Sequence, residues 1–267
     1  MIAALKYMVQ IHAENAKKIF QLAWSHAKMD TAGTTLGIGW VFIRDLANMF
    51  AMIAFRLLMS GSAEVEGVHF IVYLAAALIP WYFINDVIFI GVNSIRSMSA
   101  IVQGMYFPAV ILPTINVYSI FVKRIASFSL LFIVIFIYGD ISFFNPLLFL
   151  YYIVCMLIFV NVYSLFVSPV ITLSRDFVNL YNTIVRVFFF ITPIMWSYTR
   201  IAEFKVLVAI LKINPMSYIV TGFRSAVTGG ALPPWNETLA FWALTAIVFL
   251  FASRMQYKLR KYYADFI

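Results

Sequence analysis

Charged residues are scarce in this chain of 267 residues. They make up 11% of it, against about 25% in an average soluble protein. Hydrophobic residues reach 64% and the mean hydropathy is +0.94, so a soluble fold would have too little polar side chain to cover its surface. The composition therefore excludes an ordinary soluble domain and predicts an integral membrane protein.

Several chemical signatures are also missing. The sequence has no phosphate-binding loop of the form G-x-x-x-x-G-K-[ST], and no H-E-x-x-H, C-x-x-C or G-x-S-x-G motif. We therefore predict a chain that is not an enzyme, holds no cofactor and cannot hydrolyse ATP by itself. His12, His26 and His69 do not share a helical face at ligand spacing, which predicts no metal site. The single cysteine, Cys155, allows no disulfide within the chain.

Basic residues outnumber acidic ones. The formal net charge of +8 indicates nucleic acid, anionic lipid or an anionic substrate as a partner, and the membrane composition excludes nucleic acid. Lys17, Lys18 and Lys28 interrupt the region where a cleavable signal sequence would need a continuous apolar core. We expect the first element to remain in the mature protein.

The apolar runs predict an all-α integral membrane fold with six transmembrane helices per subunit, because a hydrocarbon core of about 30 Å needs roughly twenty helical residues. The predicted spans are 35–59, 68–93, 109–139, 147–172, 177–198 and 238–254. Polar residues at spacings of three and four make 1–30 an amphipathic interfacial helix. In the external segment 199–237, short apolar pieces around Asn214-Pro215 predict a pair of re-entrant helices.

Lysine and arginine cluster at the two ends of the chain. Lys6, Lys17, Lys18 and Lys28 lie in the N-terminal segment, and the tail 255–267 is also basic. Because cytoplasmic segments carry the excess of positive charge, both termini are predicted to be cytoplasmic, as an even number of spans requires. The whole chain, 1–267, is then a single transmembrane domain.

Charges at membrane depth are the main candidates for a functional site, since each costs at least about 2.5–3.5 kcal/mol to insert. They are Arg44, Asp45, Asp86, Lys123, Arg124 and Arg186. One interpretation is internal pairing, of Arg44 with Asp45 or of Asp86 with Arg186 or Lys123. The other is a path for an anionic substrate, because the four bases outnumber the two acids by two.

Short strings in order along the chain resemble the membrane subunits of ABC-type exporters of polysaccharides and teichoic acids. These strings are TTLGIGW at 34–40, ALIPWYF at 77–83, NSI at 93–95, YFP at 106–108, ILP at 111–113, RDF at 175–177, TPI at 192–194, NP at 214–215 and FR at 223–224. Their order and spacing cover nearly the whole chain. The charged pairs Arg44-Asp45 and Lys123-Arg124 depart from the usual pattern.

The resemblance implies a homodimer of six-span subunits in a bacterial cytoplasmic membrane, resting on two copies of a separate cytoplasmic P-loop ATPase that binds the ATP and Mg²⁺. It also implies roles for particular residues. An ATPase-coupling set would be Ser94, Arg96, Ser97 and Gln103 with Lys17 and Lys18. An external gate would be Asn214, Pro215, Phe223 and Arg224. The substrate path would add Trp40, Tyr82 and Phe83 to the six intramembrane charges, because inward-facing aromatic rings stack on sugars.

The function implied by this resemblance is ATP-driven export of a polyprenyl-pyrophosphate-linked cell-surface polymer. The strings look most similar to wall teichoic acid exporters, with O-antigen exporters next, and the surplus of bases agrees with a phosphate-rich polymer. Two other classes remain open. An ion-coupled secondary transporter would explain the intramembrane charges, although no inverted repeat is visible. A membrane enzyme acting on lipid-linked sugars would need a cluster of acid, base or metal ligands that the sequence does not show.

Overall fold

Helices form nearly all of the secondary structure in the computed structural model, which describes residues 1–30, 33–60, 64–98, 108–173, 175–260 and 262–263. The α-helices in these ranges are α1 (Ile2–Glu14), α2 (Ala16–Met29), α3 (Gly39–Ser60), α4 (Phe70–Phe89), α5 (Ser94–Ser97), α6 (Leu112–Tyr138), α7 (Pro146–Leu173), α8 (Arg175–Ile191), α9 (Lys205–Ile213), α10 (Pro215–Thr228) and α11 (Trp235–Leu259). Short 3-10 turns lie at Gly91–Asn93, Ala109–Ile111, Ile141–Phe143 and Tyr198–Ile201.

The amphipathic N-terminal segment consists of two helices and not of the single helix expected. α1 and α2 meet at Asn15, whose side-chain amide donates to the carbonyl of Ile11 at 2.8 Å. The buried face of α2 consists of Ile19, Ala23 and Ala27, which recur every fourth residue and so lie on one side of the helix. That face packs along α6.

The central helix of the fold is α4. Almost every one of its side chains is buried, including Leu74, Leu78 and Phe83, as expected for a helix that is apolar on all sides. α6, α7 and α10 pack around it, and α11 packs along α7. The core therefore lies between α4, α6, α7 and α10, and α3 and α8 lie at its periphery.

Four helical segments of the described chain are long and apolar enough to cross a membrane: Phe70–Ser97, Ala109–Tyr138, Pro146–Thr172 and Trp235–Leu259. A fifth is obtained if α9 and α10, which meet at 91°, form one broken span. The predicted first span, α3, carries three charged residues. The predicted fifth span ends early, because α8 stops at Ile191 and its 17 residues extend only about 25 Å. Six spans remain a prediction.

The turn between α9 and α10 is built by its own residues. Asn214 accepts a hydrogen bond from the Met216 N–H at 3.0 Å, and Pro215 occupies the first turn of α10, an arrangement that favours a new helix start. At the other end, Gly229 adopts a φ of 68°, a conformation suited to glycine. The predicted helix–break–helix pair in 199–237 is present; its depth in a membrane remains a prediction.

α10 approaches α7 very closely at Gly222. A Cβ atom at this position would lie 1.9 Å from the Tyr152 ring, so only glycine fits without a shift of the ring. Small residues at helix contacts allow this kind of approach in membrane proteins. Gly222 therefore sets the distance between α10 and α7.

A two-stranded antiparallel hairpin precedes α4, with β1 (Glu64–Val65) paired to β2 (Val68–His69). Its turn residues Glu66 and Gly67 have φ angles of 54° and 77°, as a tight two-residue hairpin turn requires. The Ser197 hydroxyl donates to the Glu66 carboxylate. The hairpin is thereby attached to the segment that follows α8.

Candidate functional site

Three of the predicted intramembrane charges meet in one buried cluster. Asp45 of α3, Asp86 of α4 and Arg124 of α6 are here called the ion triad. The Arg124 Nη1 atom lies 2.6 Å from Asp45 Oδ2, and its Nη2 atom lies 2.6 Å from Asp86 Oδ2. The Arg124 Nε–H donates to Asp86 at 2.8 Å. One guanidinium therefore joins three helices that are far apart in sequence.

Local sequence explains why these side chains face each other. On α6, Arg124 and Ser127 are buried three residues apart, and Leu131 and Val134 continue the same stripe. On α3, the buried side chains of the described residues are Asp45, Met49 and Arg56, which lie on one face. α3 thus contacts the bundle through two charged side chains as well as through Met49 and its apolar neighbours.

The members of the triad differ in solvent exposure. Arg124 and Asp45 have side chains only 3% and 1% exposed, whereas Asp86 is 19% exposed. The Ser127 hydroxyl donates to Asp45, and the Tyr82 ring lies 5.4 Å from the Arg124 guanidinium carbon, within cation–π distance. One positive and two negative charges leave a formal charge of −1, and Asp86 is its more accessible end.

The pairing differs from each of the three pairings considered from sequence. Asp86 pairs with Arg124 and not with Arg186 or Lys123, and Asp45 pairs with Arg124 and not with Arg44. Lys123 points to another side of α6, where its Nζ lies 2.6 Å from Asp30 Oδ2 just after α2. Two of the four predicted bases are therefore neutralised by partners within the chain.

The remaining predicted path residues are dispersed. Arg44 and Arg186 are exposed, and neither has a hydrogen bond or ion pair in the described part of the chain. Trp40 is 52% exposed at the start of α3. Phe83 is fully buried, with its ring 5.5 Å from that of Phe121, so it packs in the core. Of the nine path residues, Asp45, Tyr82, Asp86 and Arg124 come together.

A second buried arginine organises the predicted gate. The Arg224 Nη2 atom donates to the carbonyls of Pro193 and Ile194 at 2.8 and 3.0 Å, and its Nε donates to the Tyr73 carbonyl at 3.4 Å. Its guanidinium carbon lies 3.5 Å from the centre of the Tyr73 ring. We call these groups the Arg224 site. It attaches α10 to α4 and to the non-helical segment that follows α8.

The other predicted gate residues lie close to the Arg224 site or at the start of the same helix. Phe223 is fully buried, and its ring lies 5.2 Å from that of Phe149. Asn214 caps α10, and its side-chain amide also donates to the Thr192 hydroxyl at 3.3 Å. Pro215 follows Asn214 in the first turn. These residues hold the α9–α10 turn against the end of α8.

The predicted coupling residues fall into two groups. Ser94, Arg96 and Ser97 lie in α5, where Ser94 is buried and Arg96 donates to the Thr172 carbonyl at 2.8 Å. Arg96 thereby attaches α5 to the end of α7. Lys17 and Lys18 are exposed on α2, and Gln103 lies outside the described residues.

Sequence reasoning missed several residues of these sites. Ser127 and Tyr73 were not predicted, and neither was the use of Asp30 as the partner of Lys123. The signal for Ser127 is its i+3 spacing from Arg124 on a helix whose apolar residues share the same stripe. No cluster of three or more potential metal ligands occurs among the described residues.

No model of a known protein family matches the chain. Over 250 residues it is 21% identical to the O-antigen export system permease protein RfbA of Myxococcus xanthus, an alignment that covers 93% of this chain and 95% of the relative. The chain is thus similar over nearly its whole length to a permease of a polysaccharide export system. Together with its long apolar helices, this similarity supports a multi-pass membrane protein.

Proposed function

We propose that this chain is the membrane permease subunit of an ABC exporter that moves a polyprenyl-pyrophosphate-linked cell-surface polysaccharide out of the cytoplasm. The observation that carries the proposal is the similarity to an O-antigen export permease over 93% of this chain and 95% of that protein. Because the similarity spans both chains almost completely, it concerns the whole bundle and not one shared motif. The missing phosphate-binding loop agrees with a partner that supplies the ATPase.

The working unit would be two copies of this chain with two copies of a cytoplasmic P-loop ATPase, which binds the ATP and Mg²⁺. The peripheral helices favour a second copy as neighbour. α3 and α8 expose large apolar side chains together with Arg44 and Arg186. Charges at such depth usually face a partner or an aqueous path and not lipid.

The coupling element would be the region 94–103. Its described part, α5, is connected to the C-terminal end of α7 by the Arg96 hydrogen bond to the Thr172 carbonyl. A push by the ATPase on α5 would therefore reach α7, which packs on α10 and α11. With both termini cytoplasmic, Lys17 and Lys18 would lie on the same side of the membrane.

The substrate class follows from the bases that remain available. Lys123 and Arg124 are paired with carboxylates, which weakens the argument for a phosphate-rich polymer. Arg44 and Arg186 are enough to attract a pyrophosphate, which both polymer classes carry. We therefore place an O-antigen-type polysaccharide first and a teichoic acid second.

The ATPase requirement is tested with the purified chain and with the complex. We expect no ATP hydrolysis above background from the chain alone and robust hydrolysis once a partner ATPase is added. Within the complex, Arg96→Glu should uncouple hydrolysis from export, whereas Arg96→Lys retains the positive charge and serves as the control. Hydrolysis by the isolated chain, or normal export by Arg96→Glu, would contradict the proposal.

The substrate is tested by complementation of two bacterial strains, one lacking its O-antigen permease and one lacking its wall teichoic acid permease, each with the cognate ATPase supplied. We expect surface polysaccharide to return in the first strain. Rescue of the second strain alone would reverse our order of substrates. If export in the rescued strain collapses with an uncoupler while ATP remains high, an ion-coupled transporter replaces the ABC assignment.

The gate is tested on α9, where Val206 and Ile210 are 76% and 59% exposed. Since no described residue of the chain covers these positions, protection would come from the lipid into which the re-entrant pair dips. Cysteines introduced at Val206 and Ile210 should resist a membrane-impermeant thiol reagent, while one at Gly230 should react from outside. Rapid labelling at all three positions would show a solvated loop and refute the re-entrant arrangement.

A further inference from the structure

A cavity of about 540 Å³ lies between the N-terminal helices and the bundle. α1 and α2 form one wall, and α6, α7 and α11 form the other. Its volume is within the range of roughly 300–1,000 Å³ that is typical of small-molecule sites. Most of its lining is apolar, with Met8, Ile19, Leu165 and Phe249 among the side chains. None of the residues of the ion triad or the Arg224 site lines it.

A few polar groups stand among these apolar side chains. His12 is fixed between the Met8 carbonyl, 2.8 Å from Nδ1, and the Thr114 hydroxyl, 2.9 Å from Nε2. The Asn161 Oδ1 atom is buried and has no hydrogen-bond partner in the described part of the chain. An apolar cavity with a small number of placed polar groups has the composition of a ligand site.

The cavity opens along the outer side of α2. Val9 and Phe20 line it and are 60% and 64% exposed. Phe20 also lines a neighbouring groove of about 290 Å³ with Gln21 and Trp24. The exposed aromatic rings of Phe20 and Trp24 therefore continue the apolar surface out of the cavity.

Basic side chains border this opening. Lys17 directly follows Ala16, a residue of the cavity wall, and is exposed. At about 100° per residue, Lys17 lies on the same side of α2 as Trp24. The Lys28 ammonium lies 5.2 Å from the Trp24 ring. An apolar face bordered by lysines is the arrangement with which surface helices bind anionic membranes.

We propose that this cavity binds one acyl chain of an anionic phospholipid, whose headgroup phosphate lies beside Lys17. The cavity takes the apolar chain, the opening past Phe20 leads to the membrane, and the positive charge of Lys17 complements the phosphate. The bound lipid contacts both walls of the cavity and so holds α1 and α2 against the bundle. The proposal requires that the chain lies in a bilayer and is independent of what it exports.

The polyprenyl carrier of a substrate is the other lipid with this chemistry. The lining of the cavity favours the phospholipid, because it includes no residue of the ion triad and neither Arg44 nor Arg186. A carrier in transit would have to reach those charges.

The test uses the full chain in phosphatidylcholine vesicles that contain a phosphatidylglycerol probe with a photoreactive acyl chain. Crosslinked peptides are located by mass spectrometry. Ala16→Trp places a large ring in the cavity wall. We expect it to lower labelling of the cavity by at least about fivefold, because the ring takes space from the acyl chain of the probe, which then loses apolar contacts. Ala13→Trp is the matched control, since Ala13 is an exposed alanine of α1 that does not line the cavity.

A second pair of variants tests the headgroup. Lys17→Glu should weaken labelling by the phosphatidylglycerol probe more than by a phosphatidylcholine probe, because choline already offsets the phosphate charge of the latter. Lys18→Glu, on another side of α2, should change neither. Equal labelling in Ala16→Trp and Ala13→Trp would show a general lipid shell and overturn the site. Stronger competition by polyprenyl phosphate than by unlabelled phosphatidylglycerol would overturn the choice of occupant. Melting curves of all four variants serve to check that each remains folded.

Discussion

Arg124 and Arg224 are both almost completely buried, yet their surroundings neutralise them in different ways. Arg124 has two carboxylates as partners. Arg224 has three backbone carbonyls and the face of Tyr73, and no carboxylate lies within 4.0 Å of it among the described ion pairs. The first arrangement holds helices together through opposite charges, and the second through neutral dipoles.

The two arrangements therefore stabilise different parts of the fold. In the ion triad, loss of one member leaves an uncompensated charge, so the three helices α3, α4 and α6 depend on each other. At the Arg224 site, the carbonyls of Pro193 and Ile194 are free because the chain is not helical there. Arg224 thus satisfies backbone groups that a broken helix leaves without partners. The triad connects three helices, and the Arg224 site stabilises a break.

The largest effect is expected for Arg124→Gln. Breaking a buried ion pair leaves charge behind and costs about 3–5 kcal/mol. The melting temperature of the purified protein should fall strongly, because Asp45 remains buried without a counter-charge and with Asp86 close by.

The added changes Asp45→Asn and Asp86→Asn should restore most of the stability lost in Arg124→Gln, because no buried charge then remains. If Arg124→Gln melts like the unaltered protein, the triad contributes nothing to stability, and the contrast between Arg124 and Arg224 is wrong.

A smaller loss is expected for Arg224→Gln. Hydrogen bonds to charged groups contribute about 1.5–3 kcal/mol, and glutamine retains a donor for only part of the three carbonyls. Thermal unfolding measures the loss. In contrast to the triad, neutralising the acidic side chain that acts on Arg224 electrostatically, by Glu66→Gln, should give no rescue. Rescue by Glu66→Gln would mean that Arg224 acts as an ion-pair partner after all.

His12, which lies outside the spans, is a third basic side chain; it is partly buried, and burial favours its neutral form. Burial lowers its pKa below the usual value of 6.5, and the hydrogen bond to Met8 offsets part of that shift. Because the unfolded chain then binds more protons near and below pH 6.5, stability should fall as the pH decreases through this range and level off above it. Melting temperatures from pH 7.5 to 5.5 test this, and His12→Gln should remove that component.

The smallest effect on stability is expected for Arg186→Gln. This exposed side chain has no partner in the described residues, so the change should stay within about 0.5 kcal/mol. Export should still decrease if Arg186 lies on the substrate path. A double variant with Asp86→Asn should show additive effects, since Asp86 pairs with Arg124. Strong coupling between positions 86 and 186 would contradict the described pairing.

Apolar runs predicted the long helices well, and for a physical reason. The ranges 109–139 and 147–172 agree within a residue or two with Ala109–Tyr138 and Pro146–Thr172, because a continuous apolar run has no other stable form in a membrane. The end of α8 was placed too late. Thr192-Pro193 carries the stop signal, since a residue before proline disfavours the helix, but the apolar residues around it concealed that signal.

Partners across the bundle were beyond what a single sequence shows. The sequence marked Asp45, Asp86 and Arg124 as unusual by their depth. It did not select Arg124 as their common partner, since the choice among four bases depends on how α3, α4 and α6 pack. The same holds for Arg224, which resemblance assigns to the gate, because its carbonyl partners come from a break that lies inside the predicted span 177–198.

The contact of Gly222 with Tyr152 has a consequence for motion. Because the ring occupies the space where a side chain would begin, α10 has no room to slide along α7 unless Tyr152 first rotates away. In the proposed exporter, opening of an external path would then carry α7 and α10 together as one rigid block. Spectroscopic distances between these two helices should stay constant throughout the transport cycle, while distances from α10 to α3 change.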